Sequence, residues 1–206
     1  MTDQRGGLLF GVWSFSGAWN LVLGALRENA LNAPATQYFM TRAGIALGSN
    51  LGDRLRNFQV ARDGICALDG VTPPILQSAI YESAPIDCEP GAGIFYNAVI
   101  EIGFAKSAAA LLQALQMMEQ SLGRAREHAR NVSRTIDLDL LYFGEQRRTG
   151  ARLQLPHPRM AEREFVLRPL ADIAPRLRLP GAAASVREIL AQIPASGPIK
   201  CVTSNW

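Results

Sequence analysis

The chain has 206 residues, of which 48% are apolar and 19% are charged, and its formal net charge is +3. This composition excludes long disorder, collagen and a coiled coil, and the length suffices to bury a core without disulfides or a structural metal. The three cysteines, Cys66, Cys88 and Cys201, are widely spaced and form no C-x-x-C pair. This pattern is typical of a reducing compartment, so we expect a cytoplasmic protein.

The first 39 residues differ from the rest of the chain. Residues 6–26 carry no charge, but glycines and polar residues dilute the stretch and no positive cluster precedes it, which argues against a membrane span. Met40 is followed directly by a strand pattern. We therefore expect residues 1–39 to be an N-terminal extension or an upstream-start artefact, and residues 40–206 to form the functional domain, with no membrane association.

The elements predicted from residue 42 onward alternate regularly. Residues 43–47 predict a strand, and Asp53 at the end of the following turn is placed to cap a helix that runs to about Leu68. The pair Pro73-Pro74 is expected to close this unit. Residues 75–83 and 95–104 then predict two strands, joined by a loop of 11 residues, a length that usually indicates a function.

The second half of the chain continues with a helix and two strands. Ser107 begins a predicted helix that ends at Gly123, and an arginine-rich loop leads to a predicted strand over residues 135–143. A turn at Gly144 and a short strand ending at Leu155 follow. The β-α-β-β-α-β order predicts an α+β fold, a ferredoxin-like sandwich. Extra C-terminal elements are expected beyond it: a helix around residues 165–173, a helix opened by the capping box of residues 185–188, and strand structure.

The predicted strand over residues 135–143 places two carboxylates on one face, because alternate residues of a strand point the same way. Asp137 and Asp139 would repel each other unless divalent cations lie between them. A solvated strand face is the alternative reading. Nine arginines lie between residues 124 and 163, and such a local excess suits a polyanion such as a triphosphate or a nucleic-acid backbone. Neither a Walker A nor a G-x-G-x-x-G sequence is present to bind phosphate.

Seven sequence blocks, taken in order, resemble the 6-hydroxymethyl-7,8-dihydropterin pyrophosphokinases of folate biosynthesis, over about residues 41–193. They are Ala46 to Asp53, Tyr81 to Pro85, Phe95 to Asn97, Glu119 with Gly123-Arg124, Arg134 to Asp139, Leu155 to Met160, and Arg163 to Phe165. The resemblance implies transfer of the terminal pyrophosphate of ATP to the hydroxymethyl group of a reduced pterin, with release of AMP. It also implies small-molecule substrates only, no nucleic acid, and we expect a monomer.

The resemblance further implies roles for individual residues. Asp137 and Asp139 would hold two Mg²⁺ ions, and with Arg124 and Arg134 they form the expected catalytic set. The nucleotide is expected to contact Gln116, Glu119, Arg126, Arg130, Leu140, Arg152, Gln154, His157 and Arg163. The pterin is expected to lie among Ser83, Ala84, Ile86, Phe95, Asn97 and Phe165, with the two phenylalanines on its faces and the amide at its edge.

Several alternatives remain open at this point. Phe95 and Phe165 would be core aromatics by default, and Asn97 could serve an edge or bulge. The turn over residues 48–52 is interpreted as structural. Asn131 and Val132 depart from the family pattern in the arginine-rich loop, where a β-branched residue restricts the backbone. Two rival functions use the same features: RNA binding on a basic sheet, and metal-dependent hydrolysis by the aspartate pair.

Overall fold

The structure is a computed structural model that describes residues 40–86, 88–123, 133–195 and 197–206. The predicted N-terminal extension lies outside these residues, and so do Arg124, Arg126 and Arg130 together with Asn131 and Val132. Within the described ranges, no helix has the length and apolarity needed to cross a lipid bilayer.

The centre of the fold is a six-stranded antiparallel sheet. Its strands are β1 (Thr41–Ser49), β2 (Val71–Gln77), β3 (Ile80–Ser83), β4 (Phe95–Phe104), β5 (Asp137–Phe143) and β8 (Lys200–Thr203). They lie in the order β5-β1-β4-β3-β8, and β2 also pairs with β4. A separate hairpin consists of β6 (Arg148–Gly150) and β7 (Leu153–Leu155). The fold is therefore a mixed α and β structure with an antiparallel sheet, as the predicted α+β class requires.

Within the described ranges, four α-helices accompany the sheet: α1 (Arg54–Cys66), α2 (Ala108–Ser121), α3 (Glu164–Ile173) and α4 (Val186–Gln192). Three of them, α1, α2 and α4, begin at the residues that the sequence predicts, because unpaired amides in the first turn of a helix favour side-chain acceptors there. Asp53 accepts a hydrogen bond from the amide of Arg56 at 3.0 Å, and the Ser107 hydroxyl accepts one from the amide of Ala110 at 3.2 Å. Ser185 and Glu188 form the expected capping box.

The two faces of the sheet are covered differently. Helices α1 and α2 contact β1 and β5, and alternation along β1 buries Ile45 and Leu47. On β4 and β5, Val99 and Tyr142 pack with Leu167 and other apolar residues of α3 and α4. Helix α3 begins at Glu164 and so does not cover the whole of this second face. The uncovered end of the face forms a cleft.

The structure corrects the prediction around Pro73 and Pro74, which lie inside β2 and do not end a unit. Proline lacks an amide donor, so it is tolerated where the strand ladder is interrupted. The pairing of β2 with β4 indeed skips from Thr72 to Leu76. The predicted strand over residues 75–83 is consequently split, and β3 begins only at Ile80.

Gly44 lies between two strands whose side chains meet across it. It pairs with Glu101 of β4 on one side and with Tyr142 of β5 on the other. The Tyr142 ring lies over Gly44, where any Cβ would collide with it, and its hydroxyl donates a hydrogen bond to the Glu101 carboxylate. The Nε of Arg42 donates to the same carboxylate at 2.9 Å. Glycine is therefore required at this position by packing.

Candidate active site

An open cleft lies on the second face of the sheet, beside the start of α3. Its walls combine aromatic, acidic and basic side chains, as a small-molecule site requires. Strands β1, β3, β4 and β5 and the loop after β3 contribute to its walls. The residues predicted for the site that line this cleft are Ser83, Ala84, Ile86, Phe95, Asn97, Arg134, Asp137, Asp139, Arg163 and Phe165.

The aspartate pair of β5 lies on the wall of the cleft. Asp137 and Asp139 are half-buried, while Leu138 between them is buried on the opposite face, which confirms the predicted alternation. Their neighbours on β1 are Gly48 and Ala46. Because these neighbours are small, they leave the space above the two carboxylates open. The structure therefore places two hard oxygen ligands side by side at a solvent-accessible wall.

Arg134 precedes the aspartate pair and faces it. Its Nη1 donates to Asp137 Oδ2 at 2.9 Å. Its Nε is buried and has no hydrogen-bond partner within the described part of the chain, although an unpaired buried donor is costly. The cleft-lining guanidinium thus retains a buried donor that a phosphate oxygen could pair.

The turn after β1 holds Arg134 in place. The Asn50 side-chain oxygen accepts a hydrogen bond from the backbone amide of Arg134 at 2.7 Å. The backbone amide of Asn50 donates to the backbone carbonyl of Arg134 at 3.1 Å. Asn57 of α1 donates to the carbonyl of Thr135 at 2.9 Å. These contacts agree with a structural role for the turn over residues 48–52. Their effect is to fix the backbone that leads into the aspartate pair.

The opposite side of the cleft carries the residues predicted to bind a flat ring. Asn97 is only 6% exposed, and its Nδ2 donates to the Ser83 hydroxyl at 3.0 Å. That bond uses one amide hydrogen and leaves the other, together with Oδ1, for a second partner. The guanidinium of Arg134 lies 5.7 Å from the centre of the Phe95 ring, and that of Arg163 lies 5.4 Å from the Phe165 ring. The aromatic and cationic halves of the cleft are therefore in direct contact.

His157 and Arg163 are affected by burial in this region. Burial lowers the pKa of His157 below its usual value, against the opposing effect of Asp139. Its Nδ1 accepts a hydrogen bond from the amide of Arg159 at 3.3 Å, so the neutral ring carries its proton on Nε2. Burial, followed by the charge of Arg159, also lowers the pKa of Arg163. His157 thus lies near enough to Asp139 for the carboxylate charge to affect its pKa, although it does not line the cleft.

The remaining predicted nucleotide contacts lie outside the cleft lining. Gln116 on α2 and the hairpin residues Arg152 and Gln154 are exposed. The Leu140 side chain is part of the core, so only its backbone is available to a nucleotide. Glu119 is buried and accepts a hydrogen bond from the amide of Leu138 at 2.8 Å, which fixes the start of β5.

Six residues that line the cleft were not predicted as site residues: Ala46, Leu47, Gly48, Cys88, Ala98 and Val166. Asn50, which supports Arg134, was also not predicted. The loop containing Cys88 was expected to be functional from its length, but nothing in its sequence distinguishes this residue. Asn50 stands in the polar turn whose role was interpreted only as structural.

A metal ion at this site would have few protein ligands. Among the described residues, no group of three or more His, Cys, Asp or Glu side chains is arranged to hold one. Asp137 and Asp139 offer carboxylate oxygens alone, and Mg²⁺ is commonly bound by one or two carboxylates with waters and substrate phosphates completing its shell. The donor set therefore fits Mg²⁺ that arrives with a polyphosphate.

Comparison with known proteins gives consistent matches. The family model of 7,8-dihydro-6-hydroxymethylpterin-pyrophosphokinase (HPPK) matches residues 44–175. The chain is 40% identical over 156 residues to 2-amino-4-hydroxy-6-hydroxymethyldihydropteridine pyrophosphokinase of Pseudomonas aeruginosa, covering 76% of this chain and 94% of that protein. It is 38% identical over 158 residues to the enzyme of that name from Methylorubrum extorquens, covering 77% and 97%.

Solved structures also match the fold. A chain of Plasmodium falciparum HPPK-DHPS superimposes with a TM-score of 0.60 at 12% identity and covers 77% of this chain. The match spans only 45% of that longer chain. At this identity the likeness concerns the fold alone.

Proposed function

The chain belongs to the 7,8-dihydro-6-hydroxymethylpterin-pyrophosphokinase family, and from that premise we propose how its cleft carries out the family's reaction. The enzyme transfers the pyrophosphoryl group of ATP to 6-hydroxymethyl-7,8-dihydropterin in folate biosynthesis. The products are AMP and the pterin diphosphate. The hydroxymethyl oxygen bonds to the β-phosphorus, the bond from that phosphorus to the oxygen bridging to AMP breaks, and the hydroxyl proton is released.

The pterin occupies the side of the cleft formed by β3, β4 and the start of α3. Phe95 and Phe165 lie against the two faces of its ring, a use of aromatic side chains that their position on the cleft wall supports. The free Oδ1 and the remaining amide hydrogen of Asn97 pair with the edge of the pyrimidinone. The backbone of Ser83, Ala84 and Ile86 forms the rim.

The triphosphate occupies the side formed by β5 and Arg134. Asp137 and Asp139 would hold two Mg²⁺ ions, which when bound would neutralise the phosphate charge that develops during transfer. The buried Nε of Arg134 pairs with a phosphate oxygen. Arg163 supplies a second permanent charge from the other side of the cleft, and His157 donates from Nε2 as a neutral ring.

Other contacts to the nucleotide come from residues further out. We assign these to Gln116, Glu119, the backbone of Leu140, Arg152 and Gln154. Arg124, Arg126 and Arg130 belong to the same assignment and lie outside the described residues.

One observation carries this division of the cleft. Each of the two aromatic rings assigned to the pterin lies under a guanidinium assigned to the phosphates: Phe95 under Arg134, and Phe165 under Arg163. A pterin stacked between these rings presents its hydroxymethyl group toward the cations. Holding the two reactants in this way supplies much of the rate enhancement in bimolecular transfer.

The test is product formation with and without the pterin. Incubation with Mg²⁺ and ATP is expected to yield AMP only when 6-hydroxymethyl-7,8-dihydropterin is present, in equal amount to the pterin diphosphate. ADP or inorganic phosphate formed without the pterin would instead support metal-dependent hydrolysis.

We also propose the arrangement of the fold, the extent of the catalytic domain and the setting of the enzyme. The strand order, with β5 beside β1 and β4 beside β3, supports a ferredoxin-like arrangement. We propose residues 40–206 as the catalytic domain, since the match to the family model begins at residue 44. The dependence on ATP and the absence of disulfides among the described cysteines suit a cytoplasmic enzyme. We also propose a monomer, in which the residues assigned to both substrates would all belong to a single chain.

A further inference from the structure

Strand β8 lies against β3, the strand that leads to the rim of the pterin side, and Trp206 lies against the residues just before β3. β8 pairs with β3, with Tyr81 opposite Cys201 and Glu82 opposite Lys200. This segment lies beyond residues 44–175, which the family model covers. Without β8, the four-residue β3 would be an edge strand with only three residue pairs to β4.

Trp206 is anchored on several sides. Its side chain is only 7% exposed, and its indole Nε1 donates to the Ser78 carbonyl at 2.9 Å. The ring makes an edge-to-face contact with Phe58 of α1, with centres 5.5 Å apart. The Trp206 carbonyl accepts from Gln77 Nε2 at 3.2 Å and from the Arg62 guanidinium. Trp206 is therefore held in place through its ring, its indole nitrogen and its carbonyl oxygen.

Trp206 contacts the junction between β2 and β3, which consists of Ser78 and Ala79. The amide of Ser78 donates to the Val99 carbonyl at 3.0 Å, and the Ser78 hydroxyl accepts from the Val99 amide at 2.9 Å. The next amide, that of Ala79, donates to Asp172 of α3 at 3.3 Å. The junction is therefore held by β4, by α3 and by Trp206 together.

We propose that Trp206 is a positioning residue for the pterin side of the cleft, an inference that rests on the proposed function. By fixing Ser78 it fixes where β3 starts, and β3 ends at Ser83, whose hydroxyl orients the Asn97 amide at 3.0 Å. Residues in a strand advance about 3.3 Å each, so Ser83 lies about 17 Å along the chain from Ser78. Trp206 itself does not reach the substrate.

The geometry makes the effect selective for one substrate. In the sheet order, β3 and β5 are separated by β4 and β1, and the phosphate-binding carboxylates are on β5. Loosening β3 therefore disturbs the pterin rim more than the ATP side, where Asn50 as well as Asn57 of α1 holds the backbone that leads into the aspartate pair. A purely structural anchor would behave differently, since its loss lowers the amount of folded enzyme and hence the maximal rate, with neither KM changed.

The test uses the full chain with Trp206→Ala and Trp206→Phe, the second of which keeps the aromatic contact and loses the indole donor. Val202→Thr is the matched control, because Val202 is an exposed side chain of β8 that the backbone pairing does not require. For each variant the KM values of pterin and ATP are measured with the active fraction determined. Hydrogen exchange of residues 80–83 is measured in parallel.

We expect Trp206→Ala to raise the pterin KM about fivefold or more, the factor that corresponds to about 1 kcal/mol. Trp206→Phe should raise it about two- to fivefold, with the ATP KM within about twofold for both and faster exchange over residues 80–83. If the Trp206→Ala variant does not fold, the pterin KM of Trp206→Phe tests the proposal. An unchanged pterin KM in a folded Trp206→Phe variant, or an equal rise in the ATP KM, would overturn the proposal. Wild-type enzyme without pterin-dependent AMP release would instead overturn the proposed function.

Discussion

Replacing Asn97 with leucine tests the pterin side of the cleft. The buried amide has Oδ1 and one hydrogen left after its bond to Ser83, so the substitution removes two hydrogen bonds to the pterin. At about 1–2 kcal/mol each, the loss is about 2–4 kcal/mol. Since each 1.36 kcal/mol is a factor of ten, kcat/KM for the pterin should fall roughly 30-fold to 900-fold. The ATP KM should change by less than about twofold.

The assay is steady-state AMP formation with ATP saturating and the pterin varied. Asn97→Leu also leaves the Ser83 hydroxyl without its donor, at a cost of about 1–3 kcal/mol of stability, so thermal unfolding must show that the variant is folded. Tyr96→Phe is the matched control: Tyr96 precedes Asn97 on β4, points to the other face and retains its contact with Arg54. A folded Asn97→Leu variant with kcat/KM for the pterin within threefold of wild type would refute the assignment.

Asp139→Asn should reduce kcat by about 10³-fold or more, because a neutral amide cannot replace a metal-binding carboxylate. The unfolding temperature should be kept or raised, because the repulsion between the two carboxylates is removed. Turnover near wild type would exclude the metal role. The lowered pKa of His157 means that the unfolded chain takes up its proton first as pH falls below about 6.5, so stability is complete above that pH and lost below it. Thermal unfolding between pH 5 and 7.5 should therefore show a smaller loss for His157→Gln, and identical curves would contradict the assignment. Gly44→Ala should destabilise the fold by about 2–3 kcal/mol or more in denaturant unfolding, because its Cβ would collide with the Tyr142 ring. Gly48→Ala is its control, since a Cβ there has its nearest neighbour at 3.7 Å, and equal losses would contradict the packing argument.

Local patterns in the sequence predict much of the fold. The caps Asp53 and Ser107 identify helix starts because an unpaired first turn needs an acceptor, and strict alternation around Leu138 identifies β5. The break between β2 and β3 was missed, because it depends on where along one edge of β4 each segment pairs: β2 with the stretch from Phe104 to Ile100, and β3 with the stretch from Asn97 to Phe95. That long-range pairing leaves no local signal at Ser78.

The candidate site could be predicted residue by residue but not in its contacts. The acidic pair on β5 follows from the sequence pattern alone. Assigning Phe95 and Asn97 to a ligand needed the family resemblance, since both would otherwise fit a core or an edge. The support of Arg134 by Asn50 joins residues 84 positions apart, and such a contact emerges only when β1 and β5 are placed side by side.

The division of the cleft is tested most directly by a crystal structure with Mg²⁺, the pterin and α,β-methylene ATP, an analogue in which the bond that breaks in the reaction is blocked. The account predicts the pterin between Phe95 and Phe165 with Asn97 at its edge, and metal between the phosphates and the carboxylates of Asp137 and Asp139. The hydroxymethyl oxygen should lie about 3–3.5 Å from the β-phosphorus. A pterin bound elsewhere, or phosphates held away from the two aspartates, would contradict it.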